Sequence, residues 1–227
     1  MAYQEPPAVN PIPPAVLALT AIIIGIEIVF WLASRGVLGG AAGIGWRLAA
    51  FEDYAFIPRY LAFMIQEGSW SVDGLKRFIT YAFINQSFLS AVFSSVFILA
   101  FGKFIGDIAG GARALFIFVV SAVGAALLYG VIFPNQPPLV GSFPGAYGLL
   151  GGYTYILFAT LDRADQNRLQ AFRLVGMLAA LQLAFGVIFP GPPYWLADLA
   201  GALVGFLAAA TMNPGGIARI VELLRRR

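Results

Sequence analysis

The stretch whose reading decides the fold is Gly141-Ser142-Phe143-Pro144-Gly145-Ala146-Tyr147-Gly148-Leu149-Leu150-Gly151. Gly141, Gly145, Gly148 and the following Gly152 fall at spacings of three and four, which a helix brings to one face. A second run of the same kind, Asp198-Leu199-Ala200-Gly201-Ala202-Leu203-Val204-Gly205, stands near the C-terminal end. Small residues at this spacing let helix backbones approach closely, above all in lipid. The expectation is that Gly145, Gly148 and Gly152 on one helix and Gly201 and Gly205 on the other pack together within a monomer. A dimer interface is the competing reading.

Composition places both helices in a membrane. Hydrophobic residues make up 60% of the chain and charged residues 11%, and the mean hydropathy is +0.83, far from the balance of a soluble domain. Six apolar stretches follow one another, at residues 15–34, 78–101, 114–133, 145–161, 174–189 and 194–211. Each is close to the roughly 20 residues that a helix needs to cross about 30 Å of hydrocarbon. They must be helices, because lipid offers backbone N–H and C=O groups no other partner. The first stretch is long enough to span, lacks preceding basic residues and has no small-x-small site after it, so it is read as a membrane helix rather than a cleaved signal.

The remainder divides by composition. Residues 1–14 hold five prolines and read as an extended cytoplasmic tail, residues 15–211 as the membrane domain, and residues 212–227 as a basic tail. The tail's stretch from Ile217 is read as a short amphipathic helix that holds Arg225, Arg226 and Arg227 at anionic headgroups. The long first loop, 35–77, mixes Trp46, Phe51, Tyr54, Tyr60 and Trp70 with charges, as short helices at an interface would. Gly-Val-Ile-Phe-Pro occurs at 130–134 and again at 186–190, each time where proline would stop a helix. With a cytoplasmic N-terminus, Lys103, Arg113, Arg163, Arg168, Arg173, Arg219, Arg225, Arg226 and Arg227 fall inside, nine of the fourteen basic residues. Both termini are therefore placed in the cytoplasm. The net charge of +3 follows this topology and forms no aromatic-interleaved patch, so nucleic acid is not an expected partner.

What the chain lacks limits its chemistry. It has no cysteine and no histidine. Disulfides and thiol catalysis are excluded, and the usual general base and commonest metal ligand are missing. No metal or cofactor is expected.

In motif order the chain resembles the rhomboid intramembrane serine proteases, from about Arg77 to the end of the sixth helix. Arg77-Phe78-Ile79-Thr80-Tyr81-Ala82-Phe83-Ile84 is similar to the family's arginine-led start of the second helix, with Lys76 where a tryptophan often stands. Gly102 and Gly110 match the turn after that helix, while Gly106, beside Asp107, takes the place of a usual glutamate. The fourth helix carries the serine-motif segment, with Tyr147 at the aromatic position, and the sixth carries the Gly201 and Gly205 pair. The resemblance implies an all-α integral membrane protein, a six-transmembrane-helix bundle with a long interfacial first loop.

Position by position, the resemblance puts the nucleophile at Phe143, its following glycine at Pro144 and the base at Asp198. The oxyanion positions on the second helix fall on Ser90 and Ser94, and another frequent histidine falls on Asn85. Ser142 lies one residue early, about 100° round the helix if that turn is helical. A serine hydroxyl needs a neighbouring base, and losing a triad member costs orders of magnitude in rate. An aspartate's ordinary pKa of about 3.9 is far below the range of a base that works near neutral pH.

The expected function is that of a rhomboid-like pseudoprotease, lacking the Ser/His dyad, that binds transmembrane clients or the subunits of a larger membrane complex. Ser142, Tyr147, Asp198, Trp46 and Trp70 are the candidate contacts, and a bacterial inner membrane is the expected location. The alternative is an active rhomboid-type protease with a non-standard site that uses Ser142 as its nucleophile. Glu27 with Asp198 also suggests a proton path or an aspartyl protease, but no chain of titratable groups and no paired carboxylate motif accompanies them. Two bland readings stand beside these: Asp198 as an acid bonded to the hydroxyl of Ser142 or Tyr147, and Glu27 as a polar contact to loop backbone or a neighbouring helix.

Overall fold

The computed structural model describes residues 11–163, 167–188 and 191–213. Most of the proline-rich tail, Asp165 and Gln166 of the inner connector, the close of the second Gly-Val-Ile-Phe-Pro copy and the basic segment from Ile217 lie outside the described residues. The elements are α1 (Pro14–Ser34), α2 (Gly40–Gly43), α3 (Trp46–Tyr54), α4 (Pro58–Glu67) and α5 (Val72–Thr80). They continue with α6 (Phe88–Ala109), α7 (Gly111–Ile132), α8 (Phe143–Arg163), α9 (Arg173–Ile188) and α10 (Tyr194–Thr211), with 3₁₀ turns at Tyr81–Phe83 and Arg168–Phe172. Among the described residues the only β pairing is an isolated bridge between Phe56 and Leu139.

Among the described residues four helices, α1, α6, α7 and α10, are long and apolar enough to cross a membrane. Their outer faces carry exposed Leu17, Ile22, Phe93, Val96, Phe116, Val131 and Leu203. α9 is shorter, at 16 residues. α8 is the central helix, packed against α6, α7 and α10, and its first half is almost wholly buried. Facing protein rather than lipid, it tolerates glycines and tyrosines that a lipid-facing helix would not need.

The second apolar stretch is corrected. Instead of one helix over 78–101, the chain forms α5, a 3₁₀ turn and an extended break, and α6 begins only at Phe88. The reason is local: Asn85, Gln86 and Ser87 are poor helix formers, and the Ser87 side chain caps α6 by accepting from the Ser90 N–H at 3.2 Å. The turn that follows α6 is made by Gly110 alone, whose φ of +95° few other residues adopt. Gly102, expected in that turn, lies inside α6, where a side chain would strike Val16 of α1.

The closest contact in the bundle is between α8 and α10. A Cβ on Gly201 would collide with the Pro144 carbonyl, and one on Gly205 with the Gly148 carbonyl. Gly151 meets the Ala202 carbonyl in the same way. The other glycines of α8 face elsewhere: Gly145 admits the Phe118 ring of α7, Gly148 also admits Ser121, and Gly152 admits Ile105 and Ile117. Two faces of α8 are thus cut back, one for the α10 backbone and one for side chains of α6 and α7.

Arg77 fastens the first loop. Buried, it donates from Nη1 to the carbonyls of Glu52 at 2.8 Å and Ala55 at 3.1 Å, and from Nε to Asp73 at 3.0 Å. Hydrogen bonds from Lys76 and then Arg77 hold the Asp73 carboxyl below its ordinary range. The loop therefore returns to the bundle as a fixed layer of short helices.

Replacing Gly205 by valine sets a side chain against the α8 backbone and is expected to destabilise the protein by roughly 1–3 kcal/mol, the usual cost of overpacking. Gly176→Val, at a position where a Cβ meets nothing within 4 Å, serves as the control. Unfolding midpoints in detergent micelles provide the measurement.

Candidate functional site

The site forms where the break before α6 meets the start of α8. The segment leading into α8 is pinned on both sides. Leu139 and Phe56 exchange two backbone hydrogen bonds, of 2.8 and 3.0 Å, and the Gly141 N–H donates to the Tyr81 carbonyl at 3.0 Å. Gly141 has a φ of +118°, a backbone conformation that suits glycine and turns the chain into the helix. Tyr81 is itself fixed to α7, its hydroxyl donating to the Ala122 carbonyl at 2.8 Å.

Ser142 follows, fully buried, its carbonyl accepting the Ala146 N–H at 2.9 Å in the first turn of α8. Its partner is Asn85. The Ser142 N–H donates to Asn85 Oδ1 at 3.1 Å, Asn85 Nδ2 donates to Ser142 Oγ at 3.2 Å, and the serine hydroxyl lies 3.4 Å from the same Oδ1. A carboxamide at neutral pH does not take a proton from a hydroxyl. This contact orients Ser142 without activating it.

Asn85 is held in turn by an ion pair between a buried carboxylate and a half-buried guanidinium. Arg47 of α3 donates from Nη1 to the Asn85 carbonyl at 2.7 Å and to Glu27 Oε2 at 3.1 Å, while its Nη2 binds Glu27 Oε1. Glu27 is only 1% exposed. Taken out of water, such a carboxylate needs a cation and full hydrogen bonding, and Arg47 supplies both. This is the polar contact expected for Glu27, and its partner was legible in outline: a glutamate inside an apolar helix calls for a nearby arginine, and Arg35 and Arg47 are the next two in the chain.

Phe143 points into an aromatic cluster. Its ring centroid lies 6.4 Å from Phe97 and 6.5 Å from Tyr147, and Phe97 and Tyr147 stack at 5.8 Å with planes 19° apart. The cluster continues along α6 and α8 through Phe101, Phe104 and Tyr153. Aromatic pairs of this kind contribute about 0.5–1.5 kcal/mol each beyond the area they bury.

Asp198, on the first turns of α10 and just before Gly201, is buried and close enough to Tyr81 and Tyr147 to interact with both electrostatically. Its hydrogen-bond partner, however, is neither tyrosine nor Ser142. Gln182 of α9 donates to Asp198 Oδ2 at 2.8 Å, which corrects the expected bond to a hydroxyl. Gln182 sits in an apolar stretch with no motif around it, so nothing in the sequence singled it out. Ser94 donates back to the Ala91 carbonyl of its own helix at 3.1 Å, and the Ser90 N–H is spent on the Ser87 cap. Neither makes a hydrogen bond to Ser142, whose side chain is bonded to Asn85.

Trp46 and Trp70 are exposed on the first loop. Beside the Asn85–Ser142 contact an open groove of about 630 Å³ is lined by Leu48, Phe51, Ile57, Gln86, Val140 and Tyr194, among others. Among the described residues no cluster of acidic side chains could hold a metal ion.

Removing the arginine leaves the buried Glu27 carboxylate uncompensated. Arg47→Leu is expected to cost about 3 kcal/mol, and the Glu27→Leu, Arg47→Leu double variant is expected to recover part of that loss. Denaturant unfolding in micelles, followed by circular dichroism, checks both.

Compared with known proteins, the chain matches the family model described as Rhomboid domain over residues 73–214. A search of curated proteins finds no match.

Proposed function

The chain belongs to the rhomboid family of integral membrane proteins, and on that premise we propose that it is a non-proteolytic member, a pseudoprotease that binds transmembrane segments or partner subunits without cutting them. The observation that carries this reading is Phe143. The position that the resemblance gives to the nucleophile holds a phenyl ring packed on Phe97 and Tyr147. The neighbouring Ser142 is turned to an amide, Asp198 is engaged by Gln182, and the chain contains no histidine to serve as base. Pro144 also removes a backbone N–H from the place where oxyanion donors are needed.

Binding is supported by what remains open. The groove beside Val140 and Gln86 offers an apolar bed next to an extended backbone segment. In this reading buried Ser142, Tyr147 and Asp198 hold the frame behind the groove, and exposed Trp46 and Trp70 meet the client from the first loop. Six spans, α1, α6, α7, α8, α9 and α10, with both termini in the cytoplasm, suit the distribution of basic residues. A bacterial inner membrane is the proposed setting.

Purified protein in liposomes is expected to label with a fluorophosphonate probe no more than Ser142→Ala does, and to leave a rhomboid substrate intact while retaining its transmembrane segment. Leu48→Asp is expected to weaken that retention. Labelling or cleavage that disappears in Ser142→Ala would assign the protein instead as an active serine protease using Ser142.

A further inference from the structure

A second cavity, of about 230 Å³, opens at the end of the bundle where α6 turns into α7. It is roughly 30 Å, the length of α7, from the Ser142 end. Most of its lining residues are apolar, with Ile117 of α7 and Ile156 and Ala159 of α8 among them, and the hydroxyl of the lining Thr160 is spent on the Ile156 carbonyl at 2.8 Å. Its mouth is not apolar. Arg113, exposed on the first turn of α7, stands there with Asn213, and Ile108 is exposed beside it.

The neighbouring bases at this end are mostly neutralised: Lys103 pairs with Asp107 at 2.7 Å, and Arg168 with Asp162 at 2.8 Å. Arg113 makes no ion pair among the described residues. A guanidinium at the mouth of an apolar cavity, level with the start of a membrane helix, matches one class of molecule in both charge and shape. We propose that this cavity binds an anionic phospholipid, with the phosphate on the Arg113 guanidinium and the first carbons of one acyl chain in the cavity.

The two halves support each other. Water gains little in an apolar cavity that offers it few hydrogen-bond partners, and an empty one forfeits dispersion contacts, so a hydrocarbon chain is the fitting occupant. A planar guanidinium grips phosphate oxygens in pairs. A free phosphate ion would use the arginine and leave the cavity empty. A zwitterionic lipid would bring its own ammonium towards Arg113. The proposed topology puts the site in the cytoplasmic leaflet, but the site itself does not depend on that orientation or on the pseudoprotease reading.

Native mass spectrometry of the full chain released from micelles tests it. Dioleoylphosphatidylglycerol is expected to stay bound in preference to dioleoylphosphatidylcholine, and Arg113→Gln to lower its retention about five-fold, the worth of one basic residue at an anionic surface. Ala159→Phe, which fills the cavity and keeps the arginine, is expected to lower it as well. Arg173→Gln, at an exposed arginine that does not line the cavity, is expected to leave it unchanged. Retention unaltered by Arg113→Gln, equal loss in Arg173→Gln, or displacement of the lipid by inorganic phosphate would each overturn the proposal. Should Ala159→Phe fail to elute as folded protein, the two arginine variants decide.

Discussion

Everything in this molecule depends on how closely α8 can lie against α10. In lipid no hydrophobic force drives two apolar helices together, so their association rests on contact between surfaces that fit. Gly201 and Gly205 remove the side chains that would hold the two backbones apart, and Gly151 does the same from the other helix. Once α8 is seated, its adjoining face receives Phe118 and Ser121 from α7. Its first turn then has a fixed place, and with it Ser142 and Phe143.

A second constraint comes from polar groups that the bilayer would penalise. Glu27, Arg47, Asn85 and Ser142 form a continuous path from α1 through the first loop and the break before α6 to the start of α8. Each group satisfies the next, so the path locks four separate parts of the chain into one arrangement. The same economy governs Asp198, whose partner Gln182 ties α9 to α10. Groups that might have been read as chemistry are consumed in holding the frame. The aromatic cluster around Phe143 completes the filling of that space with groups that have no acid–base function.

The fold was legible because its determinants are local and periodic. Apolar length marked the helices, and the glycine spacing at 201 and 205 marked the seam. Legibility ended where a partner lies far along the chain. Asn85 and Ser142 are separated by 57 residues, and no periodicity links them. The break before α6 was hidden because the apolar residues from Phe78 to Ile84 continue smoothly into those after Phe88, although Ser87 was a readable cap. At α8 the glycine spacing announced close packing without saying which face meets which neighbour. Gly145 and Gly152 turned out to serve α6 and α7, and Gly151 to serve α10. At the site, the residue types were readable one by one. Gln182 was not, because a lone amide in an apolar stretch signals nothing until the opposing helix is in place.

The Glu27–Arg47 pair also bears on how the chain is made. α1 is synthesised before α3, and its glutamate reaches the level of the membrane while the arginine that neutralises it is still 20 residues away. An unpartnered carboxylate in hydrocarbon is costly. α1 is therefore not at its most stable as a lone inserted helix. It reaches that state only when the first loop has folded back over it, so the stability of α1 in the bundle and the folding of the loop are linked.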